Sequence, residues 1–423
     1  MQNISSKLLS PEFISQHRKN KKDFTRNRVL TLPQLVTFLM NMVNGSIQSE
    51  LSRFFQILQS KSFTLEQVSA AAFCKARKKF YATAFSALND CLTRHLYQSA
   101  FAQTWNGLRL LAVDGSTAKL PEKKALFEHF GKTSPHANYP SARLSQLYDV
   151  INKISIDVQI SPMSIGERAL ACRHLEYASR TDLMLYDRGY AAFWLFALQQ
   201  HKNIPYCARM TVTFSSVIKA FVASKEKDKI VELSPTRHSI KKCKELGIAA
   251  NPLKVRLIRI VLENGEVEVL ATSLLDMRKF PRKAFIKLYH QRWFIEEDYK
   301  IMKSRLEVEN FSGFSVEAVQ QDIHAKVLTK NIAAVAILEA NVLAKEKYLQ
   351  RKREYRINFS YTLSQFKDNI VRFITGMIPT DMYSEFIEGI SRAVNAVRPE
   401  RKFERKLEKI NKKRFAIAYK RTG

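Results

Sequence analysis

Cysteine is scarce: five in 423 residues, an odd number with no CxxC spacing, which argues against a disulfide scaffold or a cysteine-built zinc site. Cys74, Cys91, Cys172, Cys207 and Cys243 read instead as reduced thiols of a cytosolic protein. The opening residues, MQNISSKLLSPEF, lack the apolar segment of a secretory signal. The longest apolar run, near 332–344, is interrupted by Glu339 and Asn341, too short and too polar to span a bilayer. No internal repeat or low-complexity tract stands out. Acidic residues are the minority, 39 against 69 Lys plus Arg, leaving a net charge of +30. That excess points to a polyanionic partner, and nucleic acid fits it better than an anionic membrane.

What is present is ample for folding. A hydrophobic fraction of 46% supports a real core, and the length asks for roughly two to four domains. Residues 1–105 read as all-helical. Leu32–Asn44 has apolar residues at helical spacing before Gly45, and Ser46–Gln59 is a second amphipathic candidate. Thr64 and Gln67 form a capping box opening a helix over Leu65–Phe80, which ends in Lys75, Arg77, Lys78 and Lys79. Such a basic helix can enter a DNA groove, and it can equally be a solvated face.

From Leu108 the texture becomes α/β. The apolar run Leu108–Val113, stopped by Asp114-Gly115-Ser116, reads as a buried strand that delivers a carboxylate at its end. Ala142–Ile151 and Ile154–Ile160 are strands joined by an Asn152-Lys153 turn. Glu167–Ala178 is helical, Leu183–Tyr186 is a strand ending in Asp187-Arg188-Gly189-Tyr190, and Phe193–Gln200 is helical. Residues 206–277 read as mostly β, with strands at Tyr206–Thr213, Val255–Leu262 and Glu266–Thr272. Asn264-Gly265 marks a hairpin there, and Lys225–Lys229 and Lys241–Lys244 read as charged linkers. Pro281 opens a long helix through Leu306, and Val316–Tyr348 is another. From Arg398 onward 11 Lys or Arg face 3 Glu, interleaved with Phe403, Phe415 and Tyr419. That tail is a DNA contact, a dimerisation element or a solubilising end.

The chemistry concentrates in YHQRWFIEEDYKIMK, residues 289–303. Wound as a helix at about 100° per residue, Tyr289, Arg292, Glu296 and Lys303 share one stripe about 60° wide. Leu288, Ile295, Met302 and Leu306 form an adjacent apolar stripe. Glu297 points away, and Trp293 lies beside the stripe, to stack on a base or pack between helices. A plain salt-bridged helix would account for Arg292 and Glu296 alone. Asp149 and Asp157 rival Asp114, since an Asp after an apolar run often caps a turn. His174 and His290 read as core or surface histidines.

The spacing Y-x2-R-x3-E-x6-K resembles the signature of DDE transposases from bacterial insertion sequences, in the branch called the insertion-sequence-four family. Asp114-Gly-Ser, Asp187-Arg-Gly-Tyr and the segment 68–80 are similar to its other motifs, in the right order. The resemblance implies an RNase H-like catalytic core at 106–205 and 278–348, interrupted by the β-rich insertion at 206–277. A helical N-terminal domain at 1–105 would bind the element's terminal repeats, with a basic, mainly helical region at 349–423. It implies Asp114, Asp187 and Glu296 as catalytic carboxylates holding Mg²⁺ or Mn²⁺, two ions, as hard oxygen ligands favour. Tyr289, Arg292 and Lys303 would act on phosphates near the scissile bond, with Arg188 and Trp293 as further contacts. The partners implied are double-stranded DNA, at element ends and target, and a second copy of the chain on DNA. The setting implied is the bacterial nucleoid, with neither membrane nor small-molecule substrate. Some members excise through a DNA hairpin and trap a flipped base on a tryptophan of the insertion. Here Trp105, Trp194 and Trp293 all lie outside it, leaving Tyr206, Phe214 and Phe221, so only cleavage and strand transfer are expected. A metal-dependent nuclease shares every residue named. A catalytically silent DNA-binding derivative and an RNA-binding protein are the remaining alternatives.

Overall fold

The structure is a computed structural model that describes residues 1–26, 29–60, 67–262, 265–375 and 380–397. Six helices come first: α1 (Gln2–Leu9), α2 (Pro11–His17), α3 (Leu32–Met40), α4 (Ile47–Leu58), α5 (Ala70–Arg77) and α6 (Thr83–Gln98). Then follow β1 (Arg109–Lys119), α7 (Lys124–Phe130), β2 (Ser141–Asp149), β3 (Ile154–Ser161), α8 (Glu167–His174), β4 (Asp182–Tyr186) and α9 (Phe193–His201). The chain continues through β5 (Tyr206–Met210), α10 (Ser216–Ala223), β6 (Asp228–Leu233), α11 (Arg237–Glu245), β7 (Leu253–Val261) and β8 (Val267–Thr272). It closes with α12 (Arg282–His290), α13 (Phe294–Ser304), α14 (Val316–Tyr348), α15 (Phe359–Phe366), α16 (Asn369–Ile374) and α17 (Thr380–Arg392).

Two compact units divide these elements: Met1–Ala102 with Ala118–Ser141 and Ile301–Gly423, and Gln103–Thr117 with Ala142–Lys300. This grouping differs from the expected division, because the helices at 1–102 and those after 301 share one core. The reason is α14, whose polar side chains bind the N-terminal helices: Thr329 Oγ1 donates to Met40 O (2.7 Å) and Asn331 Nδ2 to Asn89 Oδ1 (2.7 Å). By length and composition alone α14 could cross a membrane, but 61% of its most apolar stretch is buried inside the protein. The apolar stretch is therefore longer than the sequence run indicated, and it is core.

The second unit is built on an eight-stranded mixed sheet in the order β3-β2-β1-β4-β5-β8-β7-β6. β1 and β4 lie side by side and parallel, Arg109 opposite Asp182 through Ala112 opposite Leu185. Leu110–Val113 and Leu183–Tyr186 are fully buried, as central strands covered on both faces require. β2 and β3 form the expected hairpin, and Asp149 caps its turn by accepting from Ile151 N and Asn152 N, both at 3.0 Å.

Four expectations need correction. β1 does not stop at Asp114 but runs on to Lys119, since Ser116-Thr117-Ala118 keep the extended alternation. Residues 206–277 add β6, β7 and β8 to the same sheet; Lys241–Lys244 falls in α11, while Lys225–Lys227 is a linker that runs into β6 at Asp228. The helix expected from 281 to 306 is broken by a 3₁₀ turn at Gln291–Trp293, with Pro281 as the N-cap. α5 begins at Ala70, capped by Ser69, whose side chain accepts from Ala72 N (3.2 Å). Thr64, Asn264 and the tail from Arg398 lie outside the described residues.

Candidate active site

Parallel pairing sets the two aspartates. The offset of 73 residues that places Arg109 opposite Asp182 holds through Ala112 and Leu185. Asp114 follows two residues further along β1, and Asp187 comes directly after β4 ends at Tyr186, so both carboxylates emerge at the same end of two adjacent parallel strands. Each carboxylate also folds back on its own backbone, Asp114 Oδ1 accepting from Gly115 N and Asp187 Oδ1 from Gly189 N, both at 2.8 Å. Gly189 is needed there, because a Cβ would lie 3.1 Å from Asp187 Oδ1.

Two buried phenols tie α12 and the glutamate-bearing α13 to these strand ends. Tyr289, on α12, donates to Tyr186 O (3.1 Å), one residue before Asp187. Tyr299, on α13, donates to the carbonyl of Asp114 itself (2.9 Å). Arg292 and Glu296 lie in sequence between these anchors, and Arg292 Nη2 donates to Glu296 Oε1 at 2.8 Å. From below, Asp298 accepts from Gln146 Nε2 at 2.8 Å, fixing α13 to β2.

The electrostatics show that these groups share one space. Burial pushes the Asp114 carboxyl up to about 6; Gly115 N–H and Arg292 pull it down, while the charges of Asp187 and Glu296 add to the rise. Three hard carboxylates that repel one another are the donor set a divalent cation relieves, so their chemistry fits Mg²⁺ or Mn²⁺. Among the described residues no three His, Cys, Asp or Glu side chains are already spaced to hold a metal. Glu296 is instead paired with Arg292.

The other expected residues divide. Arg188 is exposed, and Trp293 is 46% exposed on the 3₁₀ turn, not packed between helices. Arg292 sits 5.8 Å from the Trp293 ring centre and 5.9 Å from that of Tyr289. Tyr289 is corrected from DNA contact to anchor, since its buried hydroxyl is committed to Tyr186. Lys75, Lys78 and Lys79 are exposed along α5 and its end. Arg77 is withdrawn from the DNA-facing set: it is 4% exposed and pairs with Asp322 at 2.9 Å. Lys303, half-buried near the end of α13, falls in the first unit. Leu288, Ile295, Met302 and Leu306 are all buried, as their stripe requires.

Both rivals of Asp114 have structural work. Asp149 caps its hairpin, and Asp157 accepts from the buried His174 (2.7 Å), whose other nitrogen meets Ser145 Oγ (2.9 Å). Ser145 and His174 are fully buried, so that relay braces α8 on the sheet. Of the aromatics considered for a flipped base, Tyr206 is buried and stacked on Phe196 and Phe221 is buried; Phe214 alone is half-exposed. Sequence reasoning missed Tyr299, although its place three residues after Glu296 is a helical-neighbour signal. It also missed Phe294, 37% exposed beside Trp293.

A mixed α/β sheet with aspartates at the same end of two adjacent parallel strands, and consecutive helices α12 and α13 tethered to those strand ends, fits the core of a DDE transposase. The model of the transposase DDE domain family matches residues 105–332, more than half of the chain, and the chain belongs to that family. It is 26% identical over 245 residues to the transposase InsG for insertion sequence element IS4 of Escherichia coli (strain K12), covering 56% of this chain and 53% of that protein. The match thus spans about half the length of this curated relative. The cryo-EM structure of a piggyBac transposase synaptic complex with hairpin DNA is similar at a TM-score of 0.45 and 9% identity, over 98% of this chain and 89% of that one. A score that low carries no weight about fold.

Proposed function

We propose that the chain is an insertion-sequence transposase that binds terminal inverted repeats, cuts DNA at the element's ends and joins the 3′-hydroxyls to a target. The observation that carries this reading is the placement of Asp114 and Asp187 at the same end of the paired strands β1 and β4, with the charges of Asp187 and Glu296 acting on Asp114. In this reading β3-β2-β1-β4-β5, a hairpin followed by parallel strands, is an RNase H-like core, and β8-β7-β6 is the insertion that extends it. Asp114, Asp187 and Glu296 are the residues that would hold Mg²⁺ or Mn²⁺, as a pair of ions. Bound divalent ions would supply charge neutralisation and activation of a water or 3′-hydroxyl for in-line displacement at phosphorus.

The chain's own residues do the rest. Tyr289 and Tyr299 fix the backbone at both aspartates, so the carboxylates meet substrate with little reorganisation. When Glu296 turns towards them, Arg292 is released to grip a phosphate through its fork. Lys303, in the first unit, is a separate point charge for DNA phosphate. Arg188 lies on the exposed turn beside Asp187 and takes the adjoining backbone. Lys75, Lys78 and Lys79 supply sequence-independent attraction to duplex ends. Synapsis of two ends makes a dimer on DNA the working form, in the bacterial nucleoid.

Purified protein incubated in Mg²⁺ with duplexes bearing the repeats that flank its gene is expected to give nicked or cut ends, and pre-cut ends are expected to join to target. Hydrolysis without joined product would instead favour a nuclease on the same core, and no cleavage at all a silent DNA-binding derivative. Trp293→Ala is expected to weaken single-strand or distorted-end binding by roughly 1–3 kcal/mol, the loss of one stacked base. Its thermal midpoint should stay at the parent value, because the ring is exposed; gel-shift titration beside thermal melting reads both.

A further inference from the structure

We propose that Glu167 and Arg168 are positioning residues of the acidic centre. Consecutive residues in the first turn of α8 each reach one of the two aspartate-bearing segments, which no spacing in the sequence announces. A Cβ at Gly115 would lie 3.0 Å from Glu167 Oε1, so this carboxylate rests directly against the backbone beside Asp114. Arg143, on β2, holds Glu167 in that place through its Nη1. Arg168 Nε donates to Gly189 O at 2.9 Å, closing the turn in which Gly189 N donates to Asp187. The separation of the two aspartates is thereby set twice, by β1–β4 pairing on one side and by α8 on the other.

Tyr190 places Glu167 in the same field independently. Its phenol is 1% exposed and its hydroxyl has no hydrogen-bond partner among the described residues. Burial, and then the negative charges of Asp114, Glu167 and Asp187, push that phenol well up. Glu167 is thus a fourth carboxylate near the centre, paired with Arg143. Glu167 and Arg168 hold the backbone beside the aspartates, and removing groups that orient ligands from outside the ligand set typically weakens metal affinity roughly 10-fold to 100-fold.

The inference rests on the metal-binding role proposed for Asp114 and Asp187, and Mn²⁺ alone serves as the probe. Metal-free full-length protein is titrated with Mn²⁺ while its thermal midpoint is followed, for the parent, Glu167→Ala, Arg168→Ala, Arg168→Lys and Asp114→Asn. Glu167→Ala and Arg168→Ala are expected to raise the half-saturating Mn²⁺ concentration about 10-fold or more, with metal-free midpoints within a few degrees of the parent. Arg168→Lys, which keeps a donor, is expected to shift less than Arg168→Ala. DNA cleavage at saturating Mn²⁺ should recover most of the parent rate in both alanine variants. Unchanged half-saturation in the two alanine variants, with Asp114→Asn no longer stabilised, would overturn the positioning role alone. A Mn²⁺ response retained by Asp114→Asn would overturn the metal-binding reading beneath it. If the alanine variants lose stability in proportion to their lost response, α8 is a structural support and the inference is wrong.

Discussion

Asp114→Asn is expected to reduce DNA cleavage and joining by about 10³-fold or more, while leaving the metal-free protein at least as stable as the parent. Removing one of the three carboxylates proposed to hold metal removes several kcal/mol of transition-state charge stabilisation, and about 1.4 kcal/mol is a factor of ten. The stability half of the expectation has a different source. Asp114 titrates at about 6 in the fold against an ordinary value of 3.8, chiefly because burial disfavours its charge. Since the folded value is raised, ionising the group costs stability. The cost is absent below about pH 4, grows as pH rises towards 6, and is complete above that. The amide carries no such cost. Melting curves in chelator between pH 4 and 8 should therefore show a downward slope in the parent that the variant lacks. A marked fall in the variant's midpoint would mean that Asp114 is a structural carboxylate, contrary to the site described.

Arg77→Met should have the largest effect on folding, an expected loss of about 3–5 kcal/mol, because it strands Asp322 as an unpaired buried charge. The guanidinium spends its donors within one unit: Nε to Gln321 Oε1 (3.0 Å), Nη1 to Ser312 Oγ (2.8 Å), Nη2 to Ala318 O (3.1 Å) and to Asp322 (2.9 Å). Gly313 belongs to the same arrangement, since a Cβ there would fall 3.1 Å from Arg77 Nη1 and 2.8 Å from the Ala318 Cβ. Urea denaturation of Arg77→Met, Asp322→Leu and the double variant tests this. The double variant should regain much of the loss, as apolar replacements of a whole buried pair do. Lys78→Ala, one residue away and exposed, should stay within about 0.5 kcal/mol of the parent. An Arg77→Met protein as stable as Lys78→Ala would contradict the buried pairing.

Much of this fold could be read from residue order. The sequence delimits Val316–Tyr348 as one helix and sets the strand before Asp187 within a residue, because long periodic and short apolar runs are unambiguous. The Y-x2-R-x3-E-x6-K spacing and two aspartate motifs single out Asp114, Asp187 and Glu296, and in the fold the charges of the latter two act on Asp114. What escaped was mostly charge put to internal use. Arg77 reads as a surface cation because its partner Asp322 is 245 residues away and nothing local announces the pair. Residues around Lys241–Lys244 read as linker, yet α11 buries Cys243 and exposes its lysines. A uniform 100° wheel over 289–303 could not anticipate the tighter turn at Gln291–Trp293, which frees Trp293 for solvent. Glu167 and Arg168 reach the backbone beside the aspartates from α8, contacts between segments far apart in the chain that no local spacing carries.

The pairing of β1 with β4 makes the site sensitive to counting. The loops at 131–140 and 178–181 can lengthen or shorten without moving either aspartate, because each is measured from where its own strand begins. Adding or removing one residue within 109–114 or 182–187 would turn the affected carboxylate through the sheet to its opposite surface. Natural length variation among relatives of this chain should accordingly fall outside those two six-residue segments.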